Sequence, residues 1–293
     1  MIPKEVLKQI RRIQITTSKL VSTVFSGQYK SVFKGKGIEF NELRQYEFGD
    51  DIRFIDWNTT AKMGQPFIKK FIEERELTVM LLLDFSGSFY FGTTNKLKRE
   101  LAAEICSALG FLAVYNNDKV GLLIFTNKVE KFIPPKKGTQ HVLRIIREAL
   151  YFKSKEDKTN ISVALEYLNK VCKRRAVVFI ISDFYDEGFQ KMLSITNKHH
   201  DLIAITIIDP KELKLPNIGM VKFYDPETKN TFTLDMHDKT LRDYFSRQSS
   251  ELLERQNTMF KKLGIDQINV YLDGNWQKEL FKFFRMREKK LHF

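Results

Sequence analysis

The pattern of hydrophobic positions changes character near residue 77. From that point, short continuous apolar runs alternate with longer segments in which apolar residues recur every three or four positions. Continuous apolar runs are typical of strands buried on both faces of a parallel sheet, whereas the longer period is typical of amphipathic helices. Their regular alternation predicts an α/β fold with a doubly wound, mostly parallel sheet.

Five apolar runs have the length of strands in such a sheet: 77–84, 119–126, 176–182, 202–208 and 265–272. A sixth run, 129–133, follows the second so closely that it can only pair with it as an antiparallel edge strand. A helix opens at Thr159, and helical periodicity also covers residues 95–116, 138–151, 187–198, 239–263 and 275–289. Residues 219–235 predict an inserted β-hairpin.

The chain before this alternation has a different organisation. Apolar and basic residues alternate over residues 3–25 at helical spacing, which predicts an amphipathic helix with a basic outer face. Residues 26–40 are rich in glycine and lysine and predict a loop or a short strand. We therefore divide the chain into an N-terminal extension, residues 1–75, and an α/β domain, residues 76–293.

Residues 40–62 mix charges of both signs with aromatic side chains at a density that is unusual for a loop. In one interpretation, a network of salt bridges braces an irregular segment against the core. In the other, the segment is a charged surface on which a partner docks. The sequence alone does not separate the two. The residues concerned are Glu42, Arg44, Asp50, Asp51, Arg53, Asp56 and Trp57.

The composition narrows the class of protein. A net charge of +13 is compatible with an acidic partner, nucleic acid or a membrane surface, but also with a lysine-rich soluble protein. Cys106 and Cys172 are far apart in sequence, as expected of free thiols in a reducing compartment. The chain shows no signal peptide, and its apolar runs are far shorter than the roughly 20 residues of a membrane helix. We expect a cytoplasmic protein without a transmembrane segment.

Oxygen-bearing side chains follow two of the predicted strands. Asp84, Ser86 and Ser88 end the first strand, and Asp183 ends the strand over 176–182. Because the carboxyl ends of parallel strands share one edge of the sheet, and the crossing helices begin there, Thr159 is expected at the same edge. Five oxygens would then converge. Such ligands suit a hard cation, Mg2+ first and Mn2+ or Ca2+ as alternatives.

Each part of this site also has a purely structural interpretation. An Asp-x-Ser-x-Ser sequence after a strand is compatible with a simple turn, and Thr159 with a helix N-cap. If the metal is bound, two carboxylates roughly balance its charge and the three hydroxyls are neutral. The ion would then accept one more anionic oxygen, which an aspartate or glutamate of a protein partner can supply.

A Mg2+-dependent phosphohydrolase is the main alternative. It would need a second acid two residues after the nucleophilic aspartate, where this chain has Ser86, and a nearby base or phosphate-binding lysine. His199 and His200 precede a strand, which puts them at the opposite edge of the sheet. The other histidines fall in a helix, a loop and the tail: His141, His237 and His292. We expect no catalytic residues.

Nucleic-acid binding is a weaker alternative. Basic residues are concentrated in residues 1–36 and 278–290, and phenylalanines alternate with them in the second segment. In an amphipathic helix, such phenylalanines more often face a core than a stacked base.

The motif DFSGS at 84–88, together with Thr159 and Asp183, resembles the metal-ion-dependent adhesion site (MIDAS) of von Willebrand factor type A domains. The segment before it narrows the resemblance. GKGIEFNELRQYEFGDDIRFIDWNTTAK, followed by FIKKFIEERELTVMLLLDFSGS, is similar to the bacterial family called domain of unknown function 58. The similarity covers the chain from about residue 35 to the end.

The resemblance implies a type A-like fold and metal-dependent protein binding without catalysis. It also implies a partner, a MoxR-type AAA+ ATPase, for which such proteins act as adaptors. Two positions depart from the usual pattern. Asp157 and Lys158 precede Thr159 in place of a small, glycine-rich turn, and Phe89 stands where a methionine is common.

Overall fold

The computed structural model describes residues 29, 32–33, 39–72, 76–93, 96–154, 156–224 and 230–291. The predicted helix over residues 3–25 lies outside them. The described strands are β1 (Glu39–Gln45), β2 (Phe67–Ile72), β3 (Thr78–Asp84), β4 (Lys119–Phe125), β5 (Val129–Lys136), β6 (Val177–Ser182), β7 (Asp201–Ile208), β8 (Met220–Tyr224), β9 (Thr231–Asp235) and β10 (Asp266–Tyr271). The described helices of at least four residues are α1 (Trp57–Met63), α2 (Lys98–Tyr115), α3 (Thr139–Tyr151), α4 (Ile161–Val171), α5 (Gln190–His199), α6 (Pro210–Leu213), α7 (Lys239–Lys262) and α8 (Trp276–Leu291).

Six strands form the central sheet, in the order β10-β7-β6-β3-β4-β5. Neighbours are parallel except β5, which runs antiparallel to β4 at the edge. The predicted fold class, a doubly wound and mostly parallel sheet with one antiparallel edge strand, is therefore confirmed. The predicted hairpin at 219–235 is β8 paired with β9, which form a separate two-stranded sheet.

Both faces of the central sheet are covered, which explains why its strands are apolar throughout. One cluster of buried residues joins alternate side chains of β3, such as Leu81, to α2, α3 and α8. A second cluster joins Met80 and Leu82, on the opposite face, to α4, α5 and α7. A strand between two such layers has no solvent side and needs no polar alternation.

The N-terminal extension contributes to the first of these clusters. Tyr29, Val32 and Phe33 have helical backbone and are buried, so the prediction of a loop or short strand is wrong at these positions. The ring of Phe33 lies 6.2 Å from that of Phe179 and 5.9 Å from that of Phe284, edge to face in both cases. Basic residues and glycines surround these three apolar positions in the sequence, so the segment lacks a recognisable helical pattern of apolar residues.

The segment between the extension and β3 is more regular than predicted. β1 pairs antiparallel with β2, with Gln45 opposite Phe67, and a 3-10 turn (Ile52–Phe54) and α1 lie between them. An irregular segment was expected over residues 40–62. That expectation is wrong for β1, whose partner strand lies beyond the charged stretch.

His200 is buried at the amino end of β7 and supports a prediction about pH. Its Nδ1 accepts a hydrogen bond from the Ala176 amide at 3.3 Å, and no described atom bonds its Nε2. Burial lowers its pKa, and the charges of His199 and Arg175 add to the effect. An unfolded imidazole titrates near 6.5, so below about pH 6.5 the unfolded chain binds a proton that the folded chain resists.

The contribution of His200 to the free energy of unfolding should therefore fall as the pH drops from 7 to 5. We expect His200→Gln to lose less of its free energy of unfolding over this interval than the parent, as measured by urea denaturation at both pH values. Equal losses in the two proteins would show that His200 takes up its proton without penalty.

Candidate functional site

The strand order places a crevice at the carboxyl edge of the sheet. After β3 the chain moves outward to β4 and β5, and it then returns to the other side of β3 to form β6. Open α/β sheets bind ligands at such a reversal of strand order. Asp84 is the last residue of β3 and Asp183 directly follows β6, so the two predicted carboxylates flank the crevice.

Asp84, Ser86 and Ser88 form one compact turn. The Ser86 amide donates to Asp84 Oδ1 at 2.9 Å, and a short 3-10 turn from Gly87 to Tyr90 brings the next hydroxyl back. The Oγ atoms of Ser86 and Ser88 are 3.0 Å apart. Asp84 and Ser86 are fully buried, whereas Ser88 is partly exposed. The oxygens of the predicted motif therefore converge, and the turn opens to solvent on the side of Ser88.

Ser182 joins the Asp84 carboxylate to the backbone that follows Asp183. Its hydroxyl donates to Asp84 Oδ2 at 2.6 Å and accepts from the Phe184 amide at 2.9 Å. Burial raises the pKa of Asp84 to about 7, and the nearby charge of Asp183 adds to the shift. Ser182 was not predicted as a site residue, although a serine at the end of an otherwise apolar strand is a visible signal.

The backbone after Asp183 is held in an uncommon conformation. Phe184 has a φ of 59°, in the left-handed region that residues other than glycine seldom adopt. Gln256, a buried residue of α7, donates through Nε2 to the Phe184 carbonyl at 3.0 Å. Residues held in this way occur often at binding sites, and here the turn fixes the direction in which Asp183 leaves the sheet.

Thr159 lies in the loop next to the serine turn. The Gly87 amide donates to the Asp157 carbonyl at 2.7 Å, and the Asn160 amide donates to the Thr126 carbonyl at 3.0 Å. These bonds hold residues 157–160 beside the turn, and Thr159 is half-buried there. Direct ligation by Thr159 stays a prediction.

The start of α4 corrects two expectations. The helix begins at Ile161, not at Thr159, and its N-cap is Asn160, whose side chain accepts from the Val163 amide at 3.1 Å. The Ile161 amide, at the start of the helix, donates to the Asp186 carboxylate at 2.8 Å. Thr159 is therefore not the cap, and its hydroxyl is not used to start the helix.

Asn160 caps the helix, whereas Thr159 is the predicted metal ligand, so substitutions at the two positions should affect stability differently. We expect Asn160→Ala to lower the free energy of unfolding by about 1 kcal/mol because a helix amide loses its acceptor. Thr159→Val should change the free energy of unfolding by less than about 0.5 kcal/mol, because the Thr159 hydroxyl does not cap the helix. Chemical denaturation of both variants checks this. A larger loss in Thr159→Val would restore the capping role.

Lys98 is a second residue of this edge that was not predicted from the sequence. It is completely buried in the first turn of α2, and its Nζ lies 3.0 Å from Asp183 Oδ2 and 2.7 Å from Glu212 Oε1. The ring of Tyr185 covers it at 5.5 Å. The only local signal is that Lys98 shares a helix face with Ala102 and Ile105. Its partners, 85 and 114 residues away, could not be found from spacing.

The other acid at this edge, Asp209, has a structural role. It accepts from the amide of Thr93 at 2.7 Å and from its hydroxyl at 2.6 Å. It also caps α6 by accepting from the Lys211 amide. Asp209 thereby ties the loop after the serine turn to the end of β7.

The donor set can be compared with the needs of a hard divalent cation. Neighbouring ligands of an octahedral Mg2+ with bonds of 2.0–2.1 Å are roughly 3 Å apart, and the Ser86 and Ser88 hydroxyls match that separation. Asp183 can offer one carboxylate oxygen to the ion, because the other is paired with Lys98. In the described part of the chain, no three His, Cys, Asp or Glu side chains cluster as a metal site, so any ion here depends on the hydroxyls.

The charged residues of the 40–62 segment pair mainly with one another. Arg44 contacts Asp50 at 2.7 Å, and Arg53 contacts Asp51 at 2.6 Å. Asp56 caps α1 and lies 3.2 Å from Lys69 of β2. These contacts brace the β1–β2 hairpin itself. Glu42 is placed in β1, opposite Lys70.

Apolar side chains remain exposed on this hairpin. Phe48 is fully exposed, and Ile52 and Trp57 are about two-thirds exposed. We call Phe48, Ile52 and Trp57 the hairpin surface. Its role in docking stays a prediction.

The remaining expectations concern histidines, cysteines and membrane helices. His199 ends α5 and His200 precedes β7, at the edge of the sheet opposite Asp84, as predicted. Both cysteines are free; Cys106 is buried and Cys172 half-buried, and burial raises the pKa of each thiol. None of the described helices combines the length and apolar character needed to cross a membrane.

Comparison with solved structures finds distant likenesses. The conserved hypothetical protein BatB from Bacteroides thetaiotaomicron is 15% identical, with a TM-score of 0.46 over 73% of this chain and 99% of that one. An aerotolerance-related membrane protein from Bacteroides fragilis is 16% identical, with the same TM-score and coverage. The SpRpn10 VWA domain is 11% identical, with a TM-score of 0.36 over 45% of this chain and 76% of that one.

Comparison of sequences is more decisive. An uncharacterized protein of Mycobacterium tuberculosis is 28% identical over 283 residues, which cover 96% of this chain and 89% of the relative. A protein of Mycobacterium bovis, also uncharacterized, matches to the same extent. The profile of the family described as "Protein of unknown function DUF58" matches residues 42–255, which include β3, β6 and the whole carboxyl edge between them. This chain therefore belongs to the DUF58 family of proteins of unknown function.

Proposed function

We propose that this protein is a non-catalytic protein-binding module whose binding face is the carboxyl edge around Asp84, Ser86 and Ser88. A divalent cation, Mg2+ first, would be held there by these three residues, with Asp183 and Thr159 as direct or water-mediated ligands. The observation that carries the proposal is the 3.0 Å separation of the Ser86 and Ser88 hydroxyls beside a buried carboxylate. Two hydroxyls at that spacing and a carboxylate on the same turn are oxygen ligands of the kind that a hard cation prefers.

The charge balance favours an acidic partner. Lys98 already neutralises part of the charge of Asp183, so the protein supplies less than two full negative charges to a divalent ion. The ion would keep affinity for an anionic oxygen, and Ser88 marks the side of the turn that reaches solvent. An aspartate or glutamate of another protein can take that position.

Catalysis is disfavoured by the same geometry. A phosphohydrolase would need a lysine that reaches the substrate phosphate, and the lysine that pairs with a carboxylate of the site, Lys98, is completely buried between two carboxylates. His199 and His200 lie at the other edge of the sheet. For nucleic-acid binding, Phe283 and Phe284 would have to stack on bases, but both are buried in the core.

We further propose that the partner is a MoxR-type AAA+ ATPase, for which this protein acts as an adaptor. The resemblance to the DUF58 pattern supports this choice. The hairpin surface is the second contact we propose, because its apolar side chains are held outward on a hairpin that its own ion pairs brace. A partner that uses ATP would place the complex in the cytoplasm.

The test is a binding measurement with the cognate MoxR-type ATPase. We expect Asp84→Ala and addition of EDTA each to weaken binding by at least tenfold, and excess Mg2+ to restore only the parent. Asp243→Ala, an exposed acid on α7, is the matched control and should bind as the parent does. Unchanged binding after both treatments would remove the metal from the proposal. Hydrolysis of a generic phosphoester in Mg2+ that Asp84→Ala abolishes would favour the phosphohydrolase instead.

A further inference from the structure

Both carboxylates at the edge already use their oxygens within the protein. Asp84 accepts from the Ser86 amide through Oδ1 and from the Ser182 hydroxyl through Oδ2. Asp183 accepts from Lys98 through Oδ2, at 3.0 Å. Its other oxygen, Oδ1, has only a long hydrogen bond of 3.3 Å from the Tyr185 amide.

The lysine at Asp183 is fixed from several sides. Lys98 is completely buried, its Nζ is 2.7 Å from Glu212, and the Tyr185 ring lies over it. Glu212 is itself held, because it closes the capping box of α6 with Asp209. An ammonium enclosed in this way cannot move aside without leaving a charge unpaired in the interior.

This arrangement limits how Asp183 can bind a cation. Ca2+ takes six to eight oxygen ligands and often binds both oxygens of one carboxylate, whereas Mg2+ takes six at close to octahedral angles and keeps several waters. To use both oxygens of Asp183, an ion would have to lie in the plane of the carboxylate, close to the Lys98 ammonium. Repulsion between the two positive charges opposes that position, while one-oxygen or water-mediated ligation through Oδ1 avoids it.

We infer that Lys98 determines the metal specificity of this edge: by holding one oxygen of Asp183, it selects Mg2+ and Mn2+ and excludes Ca2+. The inference rests on the proposed function, because it concerns the same metal. It assigns Lys98 as a positioning residue that acts through Asp183 and does not touch the ion.

The first measurement uses the unmodified protein. Titration with Mn2+, followed by competition with Mg2+ and Ca2+, should give a Ca2+ dissociation constant at least tenfold larger than that for Mg2+. In crystals soaked in Mn2+, the Lys98 ammonium should remain within hydrogen-bonding distance of Asp183. Displacement of the lysine by the ion, or equal affinities for Mg2+ and Ca2+, would overturn the inference.

The second measurement uses the double variant Lys98→Met/Glu212→Gln. It frees both oxygens of Asp183, leaves the net charge of the cluster unchanged and strands no unpaired carboxylate of Glu212. We expect the preference for Mg2+ over Ca2+ to fall by about tenfold. Glu212→Gln alone keeps the pair of Lys98 with Asp183 and should keep the preference.

The outcomes separate the inference from the proposed function. If Mn2+ binds the parent and Asp84→Ala abolishes binding, but the double variant keeps the preference, the role of Lys98 is wrong and the metal site stands. If the parent binds neither Mg2+ nor Mn2+, both are wrong. A role of Lys98 in folding alone would change the affinities for all three ions together and leave their ratio constant.

Discussion

Replacing Asp84 with asparagine is expected to weaken Mg2+ and Mn2+ binding by at least about a hundredfold, without loss of fold stability at neutral pH. Loss of an outer partner of a metal ligand already costs about 10–100-fold in affinity, and loss of the central ligand should cost at least as much. The free energy of unfolding should not fall along with the metal affinity. Asp84 is a buried acid close to Asp183, and its carboxylate form is disfavoured there. Asparagine keeps the shape and an oxygen for the Ser86 amide.

The raised pKa of Asp84 also predicts how the stability of the protein depends on pH. The pKa of Asp84 is raised to about 7, whereas an unfolded aspartate titrates near 3.9. The folded chain therefore holds this proton more tightly, and the resulting stabilisation is complete below about pH 4 and lost as the pH rises to about 7. Urea denaturation at pH 5 and pH 8 should show that the difference in stability between the parent and Asp84→Asn shifts against the parent as the pH rises.

The effect of Mg2+ on the melting temperature is a second test of Asp84→Asn. A ligand that binds only the folded state raises the melting temperature, so Mg2+ should stabilise the parent at pH 8 and leave Asp84→Asn unchanged. Asp243→Asn, on the exposed side of α7, should respond to Mg2+ like the parent. A variant at Asp84 that unfolds readily but still binds Mn2+ would identify this carboxylate as structural.

Lys98→Met is expected to lower the free energy of unfolding by about 3–5 kcal/mol, the usual loss when one partner of a buried ion pair is removed. The ammonium is fully buried and the Asp183 side chain is 2% exposed, so the stranded carboxylate has little access to water. The second partner, Glu212, is 19% exposed and would be left without its cation as well. Equilibrium unfolding in urea at pH 7.5 measures the loss.

Two controls accompany this variant. Lys96→Met removes a lysine two positions earlier that pairs with Glu104 but is 47% exposed, and it should lose no more than about 1 kcal/mol. Lys98→Met/Glu212→Gln should recover part of the loss, because only one acid then lacks its partner. If Lys98→Met is as stable as the parent, the buried ion pairs of Lys98 do not hold the first turn of α2 against β6 and α6.

The central sheet and its helices could be predicted because their signals are local. Each core strand is a continuous apolar run, and β3 was expected at 77–84 and found at Thr78–Asp84. The edge strand β5 extends to Lys136, beyond the predicted end at residue 133. Its continuation passes through Pro134 and Pro135, which interrupt an inner strand but are tolerated where one side of the strand has no partner.

The features that could not be predicted depend on contacts between segments that are far apart in the sequence. β1 and β2 pair across the charged stretch that separates them, and neither strand has a strong alternation of its own. Phe33 packs on Phe179, far along the chain, from within a segment that looks like a loop. At the site, Asp84, Ser86 and Ser88 could be grouped because one turn carries them, while Lys98 meets its acids only after the sheet has formed.

The order of the strands also has a consequence for synthesis on the ribosome. β3 pairs on one side with β4, which follows after 34 residues, and on the other with β6, which is made more than 90 residues later. A nascent chain that has folded only as far as β5 therefore presents Val79–Leu83 as an unpaired apolar edge, the kind of surface to which other chains add. Until β6 is made, this open side of β3 can pair with other chains, so we expect fragments that end after α3 to associate and to require a chaperone.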